Sequence, residues 1–162
     1  KDVEIEKEIW KEEHWKSIEL NYKRSKYFEE ISAWLKPLYL ESNYKNLSEL
    51  NKKFILEICS YLDVKTKIID SNMFKTSRDK SQRILDIVNQ LDGDVYLSGP
   101  SAKAYINIEN FHKNNIKIKW MKYENYPIYD QLWGKFENNV SIIDLLFNCG
   151  PKSSFFINGK NN

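Results

Sequence analysis

The chain has 162 residues, of which 41% are hydrophobic, 30% charged and 14% aromatic. This composition excludes a disordered tail and predicts a globular protein with a sizeable core. The 25 basic and 23 acidic residues leave a formal net charge of +2, which gives no strong indication of a nucleic-acid partner. No apolar run approaches the roughly 20 residues of a membrane span. Two cysteines and two histidines form neither a disulfide framework nor a zinc motif, so we expect no metal site and a cytoplasmic location.

The amino-terminal part of the chain has the periodicity of helices. Val3 and Ile5 alternate with acidic residues, which predicts a short edge strand over Asp2–Glu6. Apolar residues at helical spacing then predict three helices. These are Trp10–Lys26, a second helix that begins at Tyr27 and contains Pro37, and Asn46–Val64 with Asn46 as its N-cap.

The following part alternates predicted strands and helices. The strands are Thr66–Asp70, Asp94–Ser98 and Ile116–Tyr123, with a helix from about Ser77 to Leu91 and a partly helical segment, Ser101–Asn115, between them. This order favours parallel pairing with crossover connections. The predicted fold class is therefore α/β, with a small, mostly parallel sheet flanked by helices and a helical amino-terminal half. We expect one domain over residues 1–150 and a polar tail over residues 151–162.

The stretch Asp94–Pro100 organises this arrangement. The predicted strand stops at Gly99-Pro100, and Ser101 has the character of a helix N-cap. Polar groups therefore gather at the carboxyl end of the sheet, where open α/β sheets usually bind ligands. An ordinary turn without a ligand is the alternative interpretation.

Two further segments complete the chain. Tyr123–Phe136 is rich in aromatic residues without regular periodicity, which is typical of a long ordered loop. Ser141–Phe147 is predicted to be a helix that is apolar on almost all sides. Asp144 stands three residues after Ser141, which favours a helix-capping role over that of a catalytic acid.

Several of these motifs together resemble one family, the WbqC-like family of bacterial proteins. They are Tyr96–Pro100 with Ala102, Ala104 and Tyr105; Tyr129–Phe136 with Gln131; Ser141–Asn148 with Gly150; and Trp10, His14, Ile18 and Tyr22. The resemblance covers nearly the whole chain, although the family's amino-terminal Gln-Pro-x-Tyr-type segment is absent. It implies a role in surface-polysaccharide biosynthesis, especially of O-antigen. It also implies a glycine transferase activity that attaches a glycyl group to an amino sugar.

Acyl transfer to an amine needs a base for the amine proton and donors for the developing oxyanion. His14 is the candidate base, since imidazole titrates near pH 6.5 when unperturbed, although a partly buried helix histidine is an equally good interpretation. Ser98 and the Gly99 N–H are candidate oxyanion donors. Cys149 is a weak candidate nucleophile, because no histidine adjoins it in the sequence.

Four other residues suit a sugar or sugar-nucleotide substrate. They are Tyr96, Lys103, Tyr105 and Gln131, although the two tyrosines also fit ordinary core positions. Asn148 either closes the last helix or reaches the substrate. The leading hypothesis is an aminoacyl (glycyl) transferase of surface-glycan biosynthesis, and the alternative is a non-catalytic sugar- or nucleotide-binding module. The sequence leaves the acyl donor, the sugar, any cofactor and the oligomeric state open.

Overall fold

A computed structural model describes residues 3–5 and 9–157. The chain divides into two compact units, each with its own hydrophobic core. The first comprises Lys1–Lys65 and Asn125–Asn162, and the second comprises Thr66–Glu124. The architecture is α/β with a helical amino-terminal half and a small parallel sheet, as predicted.

Three helices begin the first unit: α1 (Ile9–Tyr22), α2 (Phe28–Leu40) and α3 (Leu47–Tyr61). The Asn46 side chain caps α3 by accepting hydrogen bonds from the backbone N–H groups of Ser48 and Glu49. Helix α2 contains Pro37 and still continues to Leu40. The predicted edge strand is reduced to a single antiparallel bridge between Glu4 and Asn46; the ends of that prediction, residues 2 and 6, lie outside the described residues.

An aromatic core holds the first unit together around α6 (Ile142–Cys149). Phe147 is fully buried and stacks on Tyr22 and Phe28, with ring centroids 5.0 and 5.5 Å apart respectively. Four consecutive α6 residues, from Asp144 to Phe147, are buried. Because successive helical residues are about 100° apart, four consecutive buried residues face several sides of the helix, which confirms the sequence prediction.

After α6, the chain continues into a 3₁₀ turn (Gly150–Lys152) and a short helix, α7 (Ser153–Ile157). Ser153 is fully buried, and its hydroxyl donates to the Leu145 carbonyl at 3.3 Å. The Ser154 hydroxyl donates to the Leu62 carbonyl at 3.0 Å. The first part of the predicted polar tail is therefore docked onto the first unit, and residues 158–162 lie outside the described residues.

The second unit contains α4 (Lys80–Gln90), β1 (Val95–Ser98), α5 (Ile108–Lys113) and β2 (Lys117–Trp120). The two strands are parallel, with Tyr96 paired to Ile118. One sheet face packs on the core of this unit, while Val95, Leu97 and the lysines of β2 are exposed, as the alternation predicts. The core residues are Leu85, Val88, Ala102, Ile106, Phe111 and Ile116.

Two predictions for the second unit are wrong. Within the described chain, Thr66–Asp70 forms no strand; Asp70 instead caps a 3₁₀ turn over Ser71–Met73, its carboxylate accepting from the Asn72 N–H at 2.8 Å. The cap formed by Asp70 turns the chain at this point, although the two adjacent apolar residues within Thr66–Asp70 predicted a strand. Ser101 is likewise not an N-cap: a 3₁₀ turn already begins at Pro100, whose fixed φ favours the first position of a turn.

None of the helices in the described residues has both the length and the apolar character that a membrane span requires.

Candidate functional site

Asp144, a residue of α6, is the centre of a buried hydrogen-bond network in the first unit. Its side chain is buried, with 8% of the residue exposed. Tyr22 donates its hydroxyl to Oδ2 at 3.1 Å, and Tyr129 donates to Oδ1 at 2.8 Å. The side-chain amides of Gln131 and Asn148 donate to Oδ1 at 2.9 and 3.3 Å. A buried carboxylate requires such donors, and four side chains supply them here. We call these five residues the Asp144 network.

The start of α6 explains why the Asp144 carboxylate serves this network. Ser141 caps the helix, because its hydroxyl accepts from the Ile143 N–H. The Asp144 carboxylate is therefore not needed as a cap. It accepts hydrogen bonds from four other side chains instead, which the predicted capping role did not include. Asn148 lies one turn later on the same helix face, as the spacing of four residues requires.

Gln131 shapes the aromatic loop between β2 and α6. Its amide oxygen accepts from the Glu137 N–H at 2.8 Å, and its amide nitrogen donates to the Glu137 carbonyl at 2.9 Å. The same nitrogen reaches Asp144. Both ends of the amide are thus engaged inside the chain, so Gln131 closes the loop and anchors it to α6. Its predicted contact with a sugar hydroxyl stays a prediction.

A cleft of about 350 Å³ adjoins the network on the side of Tyr129 and Asn148. It combines aromatic faces, two cations, one exposed carboxylate and an amide. We call it the polar cleft, and it is lined by Lys26, Tyr27, Ile128, Tyr129, Asp130, Asn148, Cys149, Lys152 and Phe156.

Gly150 allows Tyr27 to reach the wall of this cleft. The glycine has a φ of +52°, a conformation that side chains disfavour. A Cβ atom at this position would overlap the Tyr27 ring. The Tyr27 N–H also donates to the Phe147 carbonyl at 3.1 Å. The tight end of α6 therefore fixes one aromatic wall of the polar cleft.

The surroundings of Asp144 favour protonated side chains. Burial, followed by the charge and hydrogen bond of Asp144, raises the pKa of Tyr22 to about 12. Burial and the bond to Asp144 also raise the pKa of Tyr129. Burial, with the charges of Asp144 and Asp130, raises the pKa of Cys149 to about 11. Because the thiolate is the nucleophilic form, Cys149 is a poor nucleophile at neutral pH.

His14 lies at a different cavity of the first unit. This cavity, of about 720 Å³, is predominantly apolar. The His14 side chain is exposed on α1, and its ring makes edge contacts with Trp10 and Tyr39 at centroid distances of 5.4 and 6.2 Å. We call this space the apolar cavity. Its lining also includes Glu4, Ile5, Leu47, Leu50, Asn51, Phe54, Ile55, Ile58, Ser141, Ile142 and Ile143.

The predicted site residues of the second unit lie at and after the end of β1. Ser98 is buried, and Tyr96 packs its ring against Phe111 at 5.7 Å. Gly99 has an ordinary extended backbone, with φ −67° and ψ 153°.

The two residues that follow the turn are held by neighbouring groups. The Lys103 ammonium lies 5.5 Å from the centre of the Trp120 ring, and Tyr105, which is about half exposed, lies 6.0 Å from the Lys80 ammonium. The convergence of Ser98 and Gly99 with His14 and Gln131 stays a prediction.

Most of the polar cleft could not be predicted from the sequence. Lys26 and Lys152 stand in segments without a recognisable motif, and Tyr129 and Asp130 belong to the Tyr129–Phe136 motif, in which only Gln131 is predicted to be a site residue. Asp144 and Asn148 gave the one usable signal, since two polar residues four apart in an otherwise apolar helix share one face. Within the described residues, no group of three or more His, Cys, Asp or Glu side chains is arranged to hold a metal ion.

The comparison with known proteins gives the family. The model of the WbqC-like protein family matches residues 1–155. The chain belongs to the WbqC-like family. It is similar to the protein named Uncharacterized protein Rv1507c from Mycobacterium tuberculosis (strain ATCC 25618 / H37Rv), with 39% identity over 148 residues. That alignment covers 91% of this chain and 64% of the mycobacterial protein, so the chain spans less than two thirds of its relative's length. No solved structure matches this WbqC-like chain.

Proposed function

We propose that this WbqC-like chain is a cytoplasmic protein of surface-glycan (O-antigen) biosynthesis that binds a sugar or sugar-nucleotide in the polar cleft. The observation that carries the proposal is the composition of the cleft wall. Two lysines, one carboxylate, one amide and three aromatic rings line a single cleft of about 350 Å³. Pockets of small-molecule ligands commonly have this size and contain only a few placed polar groups.

Each part of the cleft suits one part of an activated amino sugar. The ammonium groups of Lys26 and Lys152 suit phosphate oxygens. The carboxylate of Asp130 and the amide of Asn148 suit hydroxyl or amino groups of the sugar. The rings of Tyr27 and Tyr129 offer apolar faces to the sugar ring.

As the reaction, we propose transfer of an aminoacyl (glycyl) group to an amino sugar. The amine attacks the acyl carbon and loses a proton, and the acyl donor's leaving group departs with the bonding electrons. His14 as the base, and Ser98 with the Gly99 N–H as the oxyanion donors, are predictions from the sequence, and none of these residues is among those described as lining the polar cleft. Cys149 takes no part as a nucleophile, since its pKa of about 11 keeps the thiol protonated at neutral pH.

A non-catalytic sugar- or nucleotide-binding module is the second candidate. It is favoured by the position of His14, which lies at the apolar cavity. The residues described as lining the polar cleft and those described as lining the apolar cavity are different, so the candidate base is not placed at the proposed sugar site. In this alternative, the cleft presents the sugar to another protein of polysaccharide assembly.

Calorimetric titration tests the binding. We expect UDP-glucosamine to bind with 1:1 stoichiometry and the Lys152→Ala variant to bind it about tenfold or more weakly, the usual loss for a hydrogen bond to a charged group. Lys67→Ala, which removes an exposed lysine of the second unit, is the matched control and should bind as the wild type does. Equal affinity in the Lys152→Ala variant would contradict the assignment of the cleft.

A glycyl-transfer assay separates the two candidates. It should use the full-length gene product, because the chain spans 64% of its mycobacterial relative. His14→Ala should lower turnover by a factor of about 100 to 10,000 if His14 is the base, with an unchanged circular dichroism spectrum. Wild-type turnover in that variant would remove His14 from the reaction. Binding without any turnover in the wild type would favour the binding module.

A further inference from the structure

The Asp144 network fixes the direction of the hydrogen bonds at the wall of the polar cleft. Asn148 donates its amide nitrogen to two oxygens of Asp144, the backbone carbonyl at 2.9 Å and Oδ1 at 3.3 Å. Both partner atoms are acceptors, so only the nitrogen of the amide can face them. The amide oxygen of Asn148 is thereby left as the end that other groups can reach.

Tyr129 is oriented by the same carboxylate. Its hydroxyl donates its single proton to Asp144 Oδ1 at 2.8 Å. The Tyr129 oxygen additionally accepts from the Gln131 amide at 3.3 Å. A phenol has only one proton to donate, so Tyr129 has none left for a ligand and offers its ring and a lone pair instead.

Asp130 adds a third acceptor to the cleft. It is exposed, lines the cleft and is acceptor-only when ionised. Asn148, Tyr129 and Asp130 thus offer acceptors to a ligand, whereas the charged donors of the cleft are the lysine ammonium groups. A ligand is best matched when it brings hydrogen-bond donors to the acceptors and anionic oxygens to the lysines.

We propose that Asp144 is a positioning residue that makes this wall of the polar cleft an acceptor surface, so that the cleft selects sugars carrying a free amino group. The inference rests on the proposed function and names the substrate class more narrowly. Asp144 acts through Asn148 and Tyr129, while Asn148 Oδ1 and the Asp130 carboxylate receive the amino group. An acylated or fluorinated sugar lacks the donors of a free ammonium group and leaves these acceptors unpaired.

Two probes measure the selectivity directly: UDP-glucosamine, which has an ammonium group at C2, and UDP-2-deoxy-2-fluoroglucose, which has no donor there. We expect the wild type to bind the first probe at least tenfold more tightly. Asp144→Asn should reduce this ratio to less than about threefold, because the new side-chain amide can donate to Asn148 and leaves only the backbone carbonyl at position 144 to hold the Asn148 nitrogen. A ratio near one in the wild type, or an unchanged ratio in the variant, would overturn the inference.

NMR provides a readout that does not depend on a sugar. In Asp144→Asn, the side-chain amide signal of Asn148 should shift, and the pKa of Tyr22 should fall from about 12 towards 10, as followed by ¹³Cζ-tyrosine titration. Tyr61, whose hydroxyl donates to Glu30, is the internal control and should titrate as before. Unchanged Asn148 and Tyr22 signals would overturn the inference, whereas failure of the wild type to bind either probe would refute the proposed function.

A second variant covers the case in which Asp144→Asn does not fold. Asn148→Leu keeps a side chain of similar size and removes the acceptor. We expect it to lose the selectivity for UDP-glucosamine while Tyr22 still titrates near pH 12. Full selectivity in the folded Asn148→Leu variant would likewise overturn the inference.

Discussion

The polar cleft and the apolar cavity of the first unit share one helix and differ in almost every other respect. Ser141, Ile142 and Ile143, at the start of α6, line the apolar cavity. Asn148 and Cys149, at its end, line the polar cleft. Between them lies Asp144, whose carboxylate orients Asn148 and Tyr129.

The difference shows how little sequence is needed to place a polar site on an apolar helix. Two polar residues, Asp144 and Asn148, convert one face of α6 into an oriented hydrogen-bonding surface. The other residues from Ile142 to Phe147 are apolar and provide packing. The larger of the two spaces is the less polar one, so the proposed function follows the orientation of polar groups and not the size of the cavity.

Removal of the Phe147 ring should have the largest effect, because α6 supports both spaces. Phe147→Ala removes a fully buried ring between Tyr22 and Phe28 and should cost about 3–5 kcal/mol of unfolding free energy. Phe155→Ala is the matched control: this ring is 60% exposed, and its loss should change stability by less than about 0.5 kcal/mol. Urea denaturation measures both. Similar losses in the two variants would show that α6 is peripheral.

A change at Gly150 should affect the polar cleft through Tyr27. Gly150→Ala places a side chain on a residue with positive φ and makes it overlap the Tyr27 ring. We expect it to lower the free energy of unfolding by about 1–3 kcal/mol or more. Gly134→Ala is the control, because Gly134 also has a positive φ, +63°, with open space around its Cβ position. The difference in unfolding free energy between these variants reports the contact with Tyr27 together with the backbone strain of Gly150, whose ψ is −129°. Equal losses would mean that the ring moves aside without cost.

Cys149 gives a pH-dependent test of the cleft environment. Its pKa is raised to about 11, so the thiolate fraction should be very small at pH 8 and reach one half only near pH 11. Alkylation by iodoacetamide, followed by mass spectrometry of the Cys149 peptide in a Cys59→Ser background, should accelerate across that range. Rapid alkylation already at pH 7 would contradict a thiol held protonated by burial and nearby carboxylates.

The sequence predicted those features that depend on local pattern. The caps Asn46 and Ser141, and the apolar stripe of each long helix, gave the helices to within a few residues of their ends. The alternation around Tyr96 and Ile118 gave the two strands that pair. Thr66–Asp70 failed because a strand requires a partner, and the Asp70 cap turns the chain instead.

The candidate site depends on contacts that are distant in the sequence. Tyr22 bonds to Asp144 across 122 positions, and no local pattern announces such a pair. Gln131 and Asn148 were predicted as binding residues, and the structure brings both onto Asp144. Tyr129 and the lysines of the cleft could not be predicted as site residues from the sequence. They share a position in the folded unit and no regular spacing along the chain.

Ligand binding in the polar cleft is tested most directly by ¹⁵N-NMR mapping of UDP-glucosamine on the chain. We expect saturable shifts of signals from the polar cleft, at Tyr129, Asn148 and Lys152, with no shifts at Leu50 and Phe54 of the apolar cavity. Shifts confined to the apolar cavity, with the cleft signals unchanged, would contradict it.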